Sequence, residues 1–208
     1  MPTAGIVLAG SRSSRMGAAK ADLPWGDASL VEHVAQVVRA GVGDGPDVVV
    51  RAAGQVLPTL PGWAEVAVDA APGRGPLEGI LAGLCAIDQR AAIAFVAACD
   101  LPLLVPAFVA AVVAALDDDH DVALPVAFGH RQPLAAAYRV SLASRIAALA
   151  PDERVPPALF DLVRVRELGP DALLADPHLA VADPDLRSLT NVNDPAAYAA
   201  LRQRAAPR

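Results

Sequence analysis

Three clusters of polar residues, each directly after a short apolar run, carry the chemistry written in this sequence. The first follows Gly5–Leu8 and reads Gly10-Ser11-Arg12-Ser13-Ser14-Arg15-Met16-Gly17, with Lys20 shortly beyond. Its glycines let backbone N–H groups approach an anion closely and its hydroxyls add donors. Arg15 and Lys20 bring positive charge to the same place, so the segment suits phosphate groups. The second cluster is Asp69 followed by Gly73-Arg74-Gly75-Pro76 at a helix start. The third is Asp100, which closes the continuous apolar run Ala92–Ala98 and precedes Leu101-Pro102. A carboxylate held rigidly opposite a phosphate loop is what a Mg²⁺ ion bridging phosphates requires. Two familiar phosphate motifs do not fit. Gly10 to Gly17 is not G-x-G-x-x-G, and no Gly-Lys-Ser/Thr ends the loop.

These clusters must be positioned by the elements before them. Strand-length apolar runs alternate with helical patterns: Gly5–Leu8, then a helix from Leu30; Asp47–Arg51; Glu65–Asp69, then a helix from Pro76; Ala92–Ala98, then a helix through Phe108 and Leu116. Ser29 with Glu32 forms a capping box, Leu30, Val31, Val34, Val37 and Val38 form one stripe, and Gly41 is expected to end that helix. Strand followed by helix, repeated, demands right-handed crossovers and a parallel sheet covered on both faces. The expected fold is therefore α/β, a three-layer sandwich with a mostly parallel, Rossmann-like sheet. In such sheets ligands sit outside the carboxyl ends of the strands, which brings the three clusters to one crevice. The second half reads as strands at Asp121–Val126, Leu134–Tyr138 and Phe160–Glu167, a helix at Leu142–Leu149, a loop over Asp171–Leu186 and a last helix from Pro195. Residues 1–202 are expected to form one domain, with 203–208 a disordered tail.

Composition narrows the class. The 208 residues carry 17 Lys plus Arg against 23 Asp plus Glu, a net charge of −6, so nothing attracts nucleic acid globally. The most apolar segment, Leu101–Leu116, contains two prolines, has acidic flanks and is shorter than the roughly 20 residues of a spanning helix, so no membrane is implied. No basic segment followed by an apolar one opens the chain, and two cysteines, Cys85 and Cys99, lack framework spacing. A reduced, cytoplasmic location is the expectation. The four histidines, His33, His120, His130 and His178, fall near no motif and have no zinc spacing.

Leu8-Ala9-Gly10 … Arg15-Met16-Gly17 … Lys20 resembles the L-A-G-G-x-S-x-R-M-G-x-x-K signature of nucleotidyltransferases of the molybdenum cofactor guanylyltransferase (MobA) family. Gly75-Pro76-Leu77-Glu78-Gly79, Cys99-Asp100-Leu101-Pro102 and Asn191-Val192-Asn193-Asp194-Pro195 resemble further family segments, in family order and over nearly the whole chain. The resemblance implies a nucleotide-diphospho-sugar transferase-like fold. It also implies main-chain contacts from Leu8, Ala9 and Gly10 to a guanine nucleotide, with Ser11, Arg15 and Gly17 in its phosphate loop. By the same resemblance Lys20 sits on the phosphates, Asp69 contacts the nucleotide, Asp100 holds nucleotide and Mg²⁺, and Gly79 lines the cleft. Asn191, Asn193 and Arg154 would face molybdopterin. The chain departs from the family at Ser11, where a second glycine is usual, and at Arg51, where asparagine is usual.

The reaction so implied joins molybdopterin to GMP from GTP and releases pyrophosphate, with Mg²⁺. Catalysis would rest on Lys20, Arg15 and Asp100. GTP and molybdopterin are the implied partners, along with the preceding enzyme of cofactor synthesis and acceptor apo-enzymes. The rival readings are transfer of CMP or another nucleotide, a different phosphorylated acceptor, and a non-catalytic nucleotide-binding module.

Overall fold

The computed structural model describes residues 2–10, 19–71, 73–150 and 153–205. Ser11, Arg15 and Gly17, all expected in the phosphate loop, lie outside these residues, as do positions 206–208 of the expected tail.

Strand β1 (Thr3–Leu8) opens the chain, and a short hairpin of β2 (Pro24–Trp25) and β3 (Ala28–Ser29) leads into helix α1 (Leu30–Val42). Ser29 caps α1 through a 3.4 Å bond from the Glu32 N–H, as the capping box predicts. Gly41 does not end α1. The cap is Gly43, at φ 85°, where a left-handed turn favours glycine. Gly41 instead sits against Val109, where an added Cβ would lie 2.5 Å from that residue's Cβ, so its role is close helix approach.

Next come β4 (Asp47–Ala52), β5 (Ala64–Asp69), α2 (Pro76–Ile87), β6 (Ile93–Ala98) and α3 (Pro106–Ala114). The second half holds β7 (Val122–Ala127), β8 (His130–Arg131), β9 (Ala135–Arg139), α4 (Leu142–Ala148), α5 (Pro156–Phe160) and β10 (Val165–Leu168). Helices α6 (Pro170–Leu174), α7 (Pro177–Ala182) and α8 (Pro195–Ala205) close it.

Seven strands lie in the order β10-β7-β9-β6-β1-β4-β5, with β8 added to β7. Strands β6, β1, β4 and β5 form a contiguous parallel block, β10 is parallel to β7, and β9 runs antiparallel between β6 and β7. Alternate residues of each strand feed the two faces. Val7, Val49, Phe95 and Ala97 pack with α1 and α3, while Ile6, Val48, Val50 and Val96 pack with α2 and α4. This is the expected three-layer α/β arrangement. Each fully buried Leu, Ile, Val or Phe here contributes roughly 1.5–3 kcal/mol of transfer free energy.

Two expectations for the second half are corrected. Phe160–Glu167 is not one strand, because Pro156 and Pro157 pre-set a helical φ and start α5, which buries Leu159 and Phe160. Asp171–Leu186 is not loop. Pro170 and Pro177 each open a helix, and Asp176 caps α7 by accepting from the N–H groups of His178 and Leu179 at 2.9 Å. Residues 203–205 of the expected tail continue α8. No helix among the described residues is long and apolar enough to cross a membrane.

Candidate active site

Strand ends place the site. The N–H of Cys99 donates to Leu8 O at 3.1 Å, that of Ala9 to Val50 O at 2.8 Å, and that of Ala98 to Leu134 O at 2.9 Å. The carboxyl ends of β1, β4 and β6 and the start of β9 are thereby tied side by side. Asp100 emerges from this seam, and its own carbonyl accepts from Val192 N–H at 2.9 Å, which anchors the Asn191–Asn193 segment beside it.

Lys20 reaches the same point from a single turn, Lys20–Asp22. Its side chain is buried, 9% exposed, and its Nζ donates to Asp100 Oδ2 at 2.7 Å and to Asn193 Oδ1 at 3.0 Å. Lys20 and Asp100 are far apart in sequence and converge in space, as the clusters predict, and Asn193 joins them from a third segment. An ammonium with two fixed acceptors is a preorganised charge and needs little rearrangement to meet an incoming phosphate.

Beside this pair lies a cavity of about 540 Å³, walled by Leu8, Gly10, Val50, Asp69, Gly73, Gly75, Pro76, Gly79, Ala98, Asp100, Leu101, Gln132, Pro133, Leu134, Ala135 and Asn191. That volume is in the range of small-molecule sites. Leu8, Gly10, Asp69, Gly79, Asp100 and Asn191 therefore border one crevice, where the strand order is expected to bring them. Asp69 accepts from Ala71 N–H at 2.8 Å, which shapes the turn out of β5. Ala9 is buried, and its carbonyl accepts from Gln55 Nε2 at 3.0 Å.

Arg154, expected on the molybdopterin side, is bonded to protein atoms. Among the described residues it is not part of the cavity wall. Its guanidinium binds both carboxylate oxygens of buried Glu78, at 3.1 and 3.0 Å, and the carbonyls of Leu149 and Ala147. Arg51 also turns away, holding the carbonyls of Ala52 and Gln55 at 3.3 and 2.9 Å.

Other features went unread in the sequence. Residues Gln132–Ala135 form the far wall because β9 is antiparallel, so its beginning arrives where its neighbours end. Gln132, Pro133 and Leu134 precede their strand, whereas the residues of the other clusters follow theirs. Tyr138 steadies this wall, its hydroxyl donating to Pro133 O at 2.8 Å from a buried ring. His33 packs into the structure with its Nε2 3.0 Å from Pro102 O, and burial pushes its pKa down. Cys99, beside Asp100, is fully buried and its thiol is pushed up to about 12, so it is an inert packing group.

The donor set suits a hard cation such as Mg²⁺. Among the described residues no three His, Cys, Asp or Glu side chains gather into a metal cage. The carboxylate of Asp100, at the wall of the cavity beside Lys20, fits Mg²⁺, which binds through one or two carboxylates plus substrate phosphates and water.

A family model described as the MobA-like NTP transferase domain matches residues 5–165. The chain belongs to this family. A Mycobacterium bovis protein named "Probable molybdenum cofactor guanylyltransferase" is 39% identical over 201 residues, covering 94% of this chain and 91% of the relative. A protein of the same name from Mycobacterium ulcerans is 42% identical over 163 residues, covering 76% of this chain and 79% of the relative. The crystal structure of molybdopterin-guanine dinucleotide biosynthesis protein A from Archaeoglobus fulgidus aligns with a TM-score of 0.70 at 21% identity, covering 97% of this chain and 98% of that one. At that identity the alignment speaks for the fold. As a MobA-like NTP transferase, the chain is a nucleotidyltransferase.

Proposed function

We propose that this MobA-like transferase moves GMP from GTP to molybdopterin and releases pyrophosphate in a Mg²⁺-dependent reaction. The observation that carries the reading is the 2.7 Å contact between Lys20 and Asp100 at the cavity. The curated relatives, alike over nearly the whole chain, favour this acceptor and this nucleotide.

In this reading an oxygen of the terminal phosphate of molybdopterin attacks the α-phosphorus of GTP. A new P–O bond forms there, the bond to the β-phosphate bridging oxygen breaks, and pyrophosphate carries the electron pair away. A phosphate monoester has a second pKa near about 6, so it is ionised at neutral pH and needs no strong base. This accords with a cavity wall that contains no histidine among the described residues. The obstacle is repulsion between two anions, and Lys20, held by Asp100 and Asn193, reduces it by position and charge. Asp100 would hold Mg²⁺, which when bound supplies further neutralisation of phosphate charge. Gly10 and Asp69, on the β1 and β5 side, would hold the nucleotide, with Gly79 in the wall beside them. Ala9 supports that contact from behind the wall, while Asn191 and Asn193 would face the pterin. Arg15, Ser11 and Gly17 would complete the phosphate loop.

The test is pyrophosphate release with molybdopterin and each of the four NTPs in turn. GTP alone is expected to support turnover and to yield a guanine dinucleotide product. Turnover with CTP and not GTP would overturn the choice of base, and nucleotide binding without any transfer would overturn the reading.

A further inference from the structure

The pair Glu78–Arg154 has no part in the chemistry just described, yet it is the most fully bonded charged contact near the cavity. Glu78 lies in the first turn of α2 with its side chain 8% exposed, and Arg154 is 18% exposed. One Arg154 nitrogen meets both Glu78 oxygens, and the other two donate to Leu149 O at 3.2 Å and Ala147 O at 3.0 Å. All its nitrogens are engaged, so the guanidinium is committed to protein atoms. The backbone around it presses on the cavity wall as well. Gly75 caps α2 at φ 102°, and a Cβ there would meet Arg154 O at 3.4 Å and Val155 Cγ1 at 3.9 Å. One turn along α2, a Cβ on Gly79 would meet the Leu8 side chain at 3.4 Å. The start of α2 is thus held between β1 on one side and the Arg154 segment on the other.

We propose that Arg154 is a positioning residue: by gripping Glu78 it fixes the start of α2, and so sets the width of the nucleotide half of the cavity without touching either substrate. The inference rests on the nucleotidyl-transfer reading for the identity of the bound ligand. A carboxylate in this first turn is fixed on one face of the helix. Breaking a buried pair leaves an uncompensated charge that drives rearrangement. Because Gly75, Pro76 and Gly79 ride on the same turn, that rearrangement reaches the wall directly. Displacements of about 1 Å in such positioning elements cost up to about 10²-fold.

The experiment measures GTP affinity by calorimetry with Mg²⁺ and no acceptor, for the wild type, Glu78→Gln, Arg154→Met and the double variant, each checked for folding by circular dichroism. Arg154→Lys is included as the conservative variant. Each single change is expected to weaken GTP binding by about ten-fold or more, with the double variant no weaker than the worse single and the lysine variant in between. The proposal is overturned if Arg154→Met binds GTP as the wild type does, whether its only loss is thermal stability or a raised KM for molybdopterin. Additive losses in the double variant overturn it too. If the wild type binds another NTP in place of GTP, the choice of GTP fails, and the same comparison with that nucleotide still decides the lock.

Discussion

Lys20 and Asp100, separated by 80 positions in the chain, meet through a 2.7 Å ion pair with both side chains largely buried. Asn193 joins them from the far end of the sequence at 3.0 Å. Burying an ammonium and a carboxylate together costs several kcal/mol of desolvation for each ion, and their attraction offsets this only with good geometry. Under the proposed function, that cost is met because the pair faces an incoming phosphate.

Two glycines of α2 separate packing from function. A Cβ at Gly83 would lie 2.7 Å from Ile6 Cγ2, inside the core between α2 and β1. Gly83→Ala is expected to cost about 1–3 kcal/mol by overpacking, partly offset by a helix propensity gain of roughly 0.5–1 kcal/mol. At Gly79 the same Cβ meets Leu8 Cδ2 at an ordinary 3.4 Å, but the position faces the cavity. Gly79→Ala should hold or raise the urea midpoint while weakening nucleotide binding. Equal midpoints for the two variants would contradict this assignment.

Gln55 bridges two strand ends, its Nε2 donating to Ala9 O and its Oε1 accepting from Ala52 N–H, each at 3.0 Å. Gln55→Ala leaves the buried Ala9 carbonyl and the Ala52 N–H without these partners. A loss of about 1–3 kcal/mol is expected from that desolvation. Because Gly10 follows Ala9 into the cavity wall, the KM for nucleotide should rise more than kcat falls. A variant with unchanged stability and KM would show the bridge to be idle.

Asp47 provides a pH signature. Its Oδ2 receives Arg39 Nη1 at 2.6 Å, but its buried Oδ1 has no partner, and burial raises its pKa above the ordinary 3.8 despite the arginine. A carboxyl whose folded pKa is raised contributes stability that is full below pH 3.8 and lost as pH rises through the folded value. Acidification from neutrality toward that window should therefore strengthen the Asp47 contribution. Asp121, held low by Arg164, behaves oppositely and loses its contribution as pH falls through its folded pKa. Asp47→Asn should raise the urea midpoint at pH 7 and narrow the difference between pH 7 and pH 5. A lowered midpoint at pH 7 would mean that the Arg39 contact outweighs the burial penalty.

The parallel block was legible because each of β1, β4, β5 and β6 is a short apolar run followed by a polar corner. Asp69 and Asp100 were found by that rule alone. Lys20 was found by its place in a phosphate-suited loop, and its pairing with Asp100 needed tertiary structure. The far wall was not legible, since β9 reverses direction and presents Gln132–Ala135 before the strand begins. Helices α5, α6 and α7 were missed for a local reason. Each starts at a proline, which suits a turn as well as a first helical position, and the Asp176 cap of α7, like the 2.8 Å bond from Ala197 N–H to Asp194 before α8, becomes visible only in the fold. The partnership of Arg154 with Glu78, 76 positions away, was not legible, since only the fold brings the two together.

The most direct measurement is the rate of GMP transfer from α-labelled GTP to molybdopterin by purified Lys20→Met and Asp100→Asn, beside the wild type and with folding verified. Loss of one preorganised charge at such a site costs on the order of 10²–10³ in rate, so both variants should fall by at least that much. Transfer by either folded variant at a rate close to the wild type would contradict the account.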